Sequence, residues 1–286
     1  MGVWGTDQWM LEGSTNLDNI KVVLNAYRSI RERITYCSVP ITSGHFYYSE
    51  LEKKGVKSID ELVEEDQKIF IKYIMDNNSK EGIAFADEIA KESRRPVISP
   101  CAFEARTQRW REDDYMYLWF RLIEEKAKKL VMKPGWEYSN GASREFVRAI
   151  EMQFGFINPG NSLAKLPDDV DLNKEYDRIK KINLYAPGWQ YLYLEDGVKL
   201  LSYAIHDLKQ KGFEVPILEQ SLCKLYHISL FGIKNLEQKK EKIPYKPEFD
   251  TEDSIISKEI KNLTKLKNKQ LPLFKSKLEE LKLKYN

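Results

Sequence analysis

Three short β-rich runs separated by helical patterns constrain this chain more than any other feature of its 286 residues. The runs are Ile34 to Ile41, Pro96 to Pro100 and Lys129 to Lys133. Between them apolar residues recur at helical spacing. The stretch from Asn16 to Arg33 shows it, with Leu17, Ile20, Val23, Leu24, Tyr27 and Ile30. So do Ile59 to Asn77 (Ser58 as its cap), Ala84 to Arg94, Asp114 to Lys128 and Ala142 to Gln153. A repeated helix-then-strand order predicts parallel strands joined by right-handed crossovers. The expected fold is therefore α/β, a flavodoxin- or Rossmann-like parallel sheet flanked by helices, with a mainly helical C-terminal extension. Three parts are expected: an arm and helix over 1–33, the α/β domain over 34–155, and the helical region over 156–286. Within the last, Leu172 to Ile182, Val198 to Lys211 and Ile217 to Phe231 read as helices, and Gly188 to Leu194 as an aromatic strand or helix edge. Residues 234–247 read as a lysine-rich linker, and a basic amphipathic tail starts at Ser254.

Ligands of open parallel sheets bind where strands give way to helices, so the loops after the β-rich runs hold the candidate site. The stretch from Lys128 to Glu145 is a strand, a Pro-Gly turn, a polar turn and a helix start. Gly135 ends the Pro-Gly turn, and Ser139 and Gly141 belong to the polar turn before the helix. Unpaired N–H groups at that helix end suit an anion. Glu145 falls about one turn in, where the helix dipole favours its charged form. An ionised carboxylate there suits a nucleophile or base. The plainer alternative is two turn glycines and an ordinary helix glutamate.

After the first run, Ser38, Ser43 and Gly44 offer hydroxyl and backbone donors to an anion, and Tyr36 lies within the run. After the second come Arg106, Arg109 and Arg111, suited to clamp a phosphate, with Phe103 and Trp110 available to stack on a base. Solvated charge is the competing explanation for these arginines.

The string PGWEYSNGASRE, residues 134–145, resembles the P-G-W-E-x-S-x-G-A-x-x-E signature of the nucleoside 2-deoxyribosyltransferase-like proteins, matching at eight positions. That family includes nucleotide N-glycoside hydrolases, and the resemblance covers roughly residues 34–153. It implies that Glu145 attacks the anomeric carbon of a sugar. It implies that Gly135, Trp136, Ser139 and Gly141 lie in the substrate site, with Trp136 a further candidate to stack on the base. It implies a strand tyrosine near the sugar, for which Tyr36 is the candidate. It also implies an aspartate that contacts the sugar or orients the nucleophile, at Asp113 or Asp114. Many relatives carry another acidic residue about where Lys128 or Lys129 stands here, a departure that bears on catalytic competence. Relatives commonly complete the pocket with a neighbouring subunit, which implies a homo-oligomer.

Composition narrows the rest. With 46 basic and 44 acidic residues the net charge is +2, so nucleic acid is not indicated as a partner. Cys37, Cys101 and Cys223 lie far apart, as do His45, His206 and His227, so neither a metal site nor a cofactor is expected. No apolar run has the length of a membrane span and the first residues lack a signal pattern, which predicts a cytoplasmic protein. The functional expectation is an N-glycosidase that cleaves or exchanges the base–sugar bond of a small-molecule nucleoside or nucleotide. The alternatives are a catalytically impaired nucleotide-binding sensor and an NAD-cleaving glycohydrolase.

Overall fold

The computed structural model describes residues 16–103, 110–154 and 182–241, with residues 230–241 described by backbone alone. In chain order these form α1 (Leu17–Arg28), β1 (Ile34–Ser38), α2 (His45–Lys53), α3 (Glu64–Glu92), β2 (Val97–Ile98), α4 (Glu112–Lys126), β3 (Ala127–Met132), α5 (Asn140–Gln153), β4 (Asn183–Tyr185), α6 (Leu194–Gln210) and α7 (Pro216–Glu241). Short 3-10 turns lie at Ile59–Glu61, Pro100–Ala102, Trp136–Tyr138 and Pro187–Trp189. The strands form one sheet of order β2-β1-β3-β4, and every pairing is parallel. This is the α/β architecture expected, a parallel sheet flanked by helices with helices following it.

The central pair, β1 and β3, runs from Ile34 opposite Ala127 to Ser38 opposite Met132, with a register shift between Ile34 and Thr35. All five residues of β1 are buried, the pattern of a strand covered on both faces. On one face Cys37, Val39 and Val131 pack with Phe85 and Ile89 of α3. On the other, Tyr36, Leu130 and Met132 share a core with Trp119 of α4 and Phe146 and Ile150 of α5. Leu201 of α6 and Leu218 and Leu225 of α7 belong to that same core.

The sheet does not stop at residue 155. β4 pairs with β3 through Asn183, Leu184 and Tyr185 opposite Lys129, Leu130 and Val131. Three residues are too few to show a period, so periodicity alone could not announce this strand. Downstream, Gly188 to Leu194 forms a 3-10 turn and an isolated antiparallel bridge from Tyr191 to Tyr185.

The two helices expected at 59–77 and 84–94 are one helix, α3, of 29 residues. It runs through Gly82, where an added Cβ would meet the Cys101 sulfur at 2.5 Å and Val39 at 3.2 Å. Glycine is there for close approach to the turn after β2, so it marks contact rather than a break. Ser58 caps the 3-10 turn at Ile59, in a capping box with Glu61, and α3 starts beyond it. Residues 234–241 continue α7 instead of beginning a linker. The arm over 1–15, residues 172–181 of an expected helix, and the tail beyond 241 lie outside the described residues. Among those described, no helix is long and apolar enough to cross a membrane.

Candidate functional site

From β1 the chain crosses to β2 on one side and returns to β3 on the other. The crevice at the carboxyl ends of β1 and β3 is thus the point where the sheet's winding reverses, the usual ligand position in such folds. Ser38 closes β1 there, Met132 closes β3, and the turn after β3 leads into α5.

Glu145 projects from α5 onto the end of β1. Tyr36 Oη donates to its Oε1 at 2.6 Å and Ser38 Oγ donates to its Oε2 at 2.5 Å. Residues 36 and 38 share one face of the strand because strand side chains alternate. A single carboxylate therefore receives one donor on each oxygen. Glu145 is 4% exposed. Burial pushes its carboxyl up to about 7, against the pull of the Ser38 and Tyr36 hydroxyls and the Arg144 guanidinium. A carboxylate in the first turn of a helix would shift the other way. α5 begins at Asn140, which places Glu145 in the second turn, where the dipole has faded and desolvation decides. Tyr36 is held far above its ordinary value, chiefly by burial and then by Glu145, so it remains a donor.

The turns on either side of Glu145 are tied together. Ser139 caps α5 by accepting from Ala142 N at 3.4 Å. Ser43 Oγ accepts from Asn140 N at 3.0 Å and lies 3.4 Å from Ser139 Oγ. Gly44 takes φ 110°, open to glycine alone, and a Cβ there would strike Pro40 at 2.8 Å. Gly135 is left-handed at φ 83° with nothing near an added Cβ, so it is required by the turn. Gly141 is helical, and its Cβ would meet only Met116 Sδ at 3.6 Å. It stands one helical turn before Glu145, on the same face.

Other expected members are placed differently. Trp136 is buried and stacked on Phe146 at 4.4 Å, which makes it a core residue. Trp110 is half-buried with Phe103 at 5.5 Å and Tyr115 at 5.1 Å, and Phe103 stands against Trp119, which packs on Tyr36. These rings form an aromatic wall that reaches Tyr36 through Trp119. Asp114 is fully buried and accepts from Arg111 N and from Asn16 Nδ2, both at 2.9 Å. It caps α4 and tethers α1. Asp113 lies 4.0 Å from Arg144. Neither aspartate bonds to Glu145. Arg111 is exposed, while Arg106 and Arg109 lie outside the described residues.

Lys128 and Lys129 are not at the carboxyl edge. Lys129 sits opposite Thr35 and over the Trp189 ring at 4.1 Å, on the face away from Tyr36.

One site residue escaped sequence reading. Asn78 Nδ2 donates to the carbonyls of Ile41 at 2.9 Å and Ser43 at 3.1 Å, fixing the loop after β1. Its signal is an amide inside the buried stripe Phe70, Ile74, Asn78, Gly82, Phe85 of α3. A small cleft of about 50 Å³ bounded by His45, Tyr138, Asp207 and Lys211 includes neither Glu145 nor its donors. Among the described residues, no group of histidine, cysteine and acidic side chains could hold a metal.

Comparison with family models, curated proteins and solved structures finds no match to this chain.

Proposed function

We propose that this protein is an N-glycosidase acting on a small nucleoside or nucleoside 5′-monophosphate. The observation that carries the reading is the Glu145 carboxylate held by Tyr36 and Ser38 at the carboxyl edge of the sheet. The motif resemblance at 134–145 agrees with it. In the reaction, a Glu145 oxygen forms a bond to C1′ while the C1′–N bond breaks, and the electron pair leaves with the base, which is then protonated. Water attacks C1′ and returns the carboxylate; a second base attacking instead gives exchange. Tyr36 and Ser38 fix the carboxylate plane, so attack needs little reorientation. The wall of Phe103 and Trp110 would receive the base.

The experiment is base release from a panel of nucleosides, nucleotides and NAD, followed as a function of pH. Because the ionised carboxylate is the nucleophile, kcat/KM should rise with pH through about 7, the value to which burial pushes Glu145. Removing a donor from a buried carboxylate favours its neutral form. Tyr36→Phe should therefore move this acid limb to higher pH and lower kcat/KM at neutral pH by roughly 10- to 100-fold. An unmoved limb in Tyr36→Phe would separate the limb from Glu145. Release from NAD alone would favour a glycohydrolase, and release from nothing offered would favour a sensor.

Gly141 gives an independent check. The fold leaves room for a methyl there, and alanine is the better helix former by about 1 kcal/mol in helix interiors. Gly141→Ala should therefore keep or slightly raise thermal stability, while losing most base release if substrate lies over Glu145. Full activity with raised stability would move the substrate off this face.

A further inference from the structure

The outer face of α3 carries an apolar and charged stripe that is exposed among the described residues. Ile69, Tyr73 and Ile83 are 64%, 51% and 44% exposed. With Asp76, Lys80 and Asp87, also exposed, they follow one another at alternating steps of four and three residues. That is heptad spacing, and at about 100° per residue it confines them to one seam. The seam lies opposite the buried stripe Phe70, Ile74, Asn78, Gly82, Phe85 and Ile89 that faces the sheet.

We infer that this seam binds a second copy of the chain, with the two α3 helices antiparallel and crossing near Asn78. In that alignment Tyr73 of each copy meets Ile83 of the other, and Asp76 of each meets Lys80 of the other. The two-fold axis repeats each contact, giving two apolar layers around two ion pairs, with Ile69 of each copy beside Asp87 of the other at the outer ends. A parallel alignment in register sets Asp76 against Asp76 and Lys80 against Lys80, and is repulsive. The charges thus select the antiparallel pair and name its occupant: a face complementary to itself. Asp76 already pairs with Lys72 on its own helix at 2.7 Å, but both are well exposed, so that contact is easily exchanged. Tyr73 leans on Phe46 of α2 at 5.6 Å, which limits the freedom lost on pairing. This inference does not depend on the reaction proposed above.

Sedimentation velocity of the full chain over a concentration series tests it. A seam of this length predicts a reversible dimer with Kd in the range of about 1–100 µM. Ile83→Glu should weaken association at least about tenfold, because it places a charge in both apolar layers. Asp76→Lys and Lys80→Asp should each weaken it by about tenfold, and the double exchange should restore it to within about threefold of the parent. Circular dichroism checks that these exposed changes leave the fold intact. A chain that stays monomeric to about 200 µM, a dimer indifferent to Ile83→Glu, or a double exchange no better than the single ones would each overturn the inference. Association only with a different protein would also overturn it, because the occupant argued for is a second copy.

Discussion

At pH 8 the Glu145→Gln protein should unfold at a higher temperature than the parent chain. Burial raises the Glu145 carboxyl from 4.5 to about 7, so between those values the folded state holds a proton that the unfolded state has released. Where the native state binds more protons, stability falls as pH rises. The penalty is absent below about 4.5, grows through the interval, and reaches about 3 kcal/mol above pH 7. Glutamine carries no charge to bury, and its amide can accept from one of Tyr36 and Ser38 and donate to the other. The two proteins should therefore melt together near pH 4 and separate by roughly 6 °C at pH 8. Thermal scans over that pH range decide it. A gap that is constant with pH, or a glutamine variant that is less stable at pH 8, would mean that the carboxylate is better solvated than its burial indicates. Glu145→Ala is a different case. It leaves the buried Tyr36 and Ser38 hydroxyls without their acceptor, and near pH 4, where no buried charge is relieved, should lose about 1–3 kcal/mol.

Glu124→Ala should destabilise the fold by about 3 kcal/mol or more. Glu124 is 1% exposed and receives Arg148 Nε at 2.5 Å and Arg121 Nη1 at 3.1 Å, both arginines being buried. Arg121 also reaches Glu125, which receives Arg28 through Nε and Nη2 at 2.6 and 2.8 Å. This network joins α1, α4 and α5 beneath the site. Removing one carboxylate leaves two buried guanidinium groups with weaker compensation, Arg121 keeping Glu125 and Arg148 keeping Glu151 at 3.6 Å, and that shortfall is the origin of the loss. Glu124→Met combined with Arg148→Met should then be less damaging than the two single effects added. Denaturant unfolding of the four proteins measures the coupling. Additive losses would show that packing, not uncompensated charge, sets the cost.

What the sequence made legible was what a local pattern can carry. Alternation of β-rich runs with helical periods was enough for a parallel sheet, since short links between successive strands were missing. Tyr36 and Ser38 fall on one face of β1 by strand period alone, and Glu145 stood out through the motif. The residues that went elsewhere did so for long-range reasons. Trp136 stacks on Phe146 in the core, and Asp114 is held by Asn16 from 98 residues earlier. No local spacing announces either contact. The unbroken run of α3 through Gly82 rests on the Cys101 sulfur, a contact from the turn after β2 that no local spacing announces. The ionisation of Glu145 was misjudged for the same cause, since burial is set by what packs around α5 and not by position along it.

The central claim is that Glu145 is the attacking group, and a trapped intermediate tests it most directly. Purified protein mixed with any nucleotide that yields free base is quenched in acid and digested, and the peptide containing Glu145 is weighed. Attack by Glu145 predicts added mass equal to the sugar moiety on that peptide, placed on Glu145 by fragmentation. It also predicts that Glu145→Gln, checked for deamidation, shows neither adduct nor base release while still binding the nucleotide. Base released by the glutamine variant at the parent rate, or an adduct carried on another residue, would contradict it.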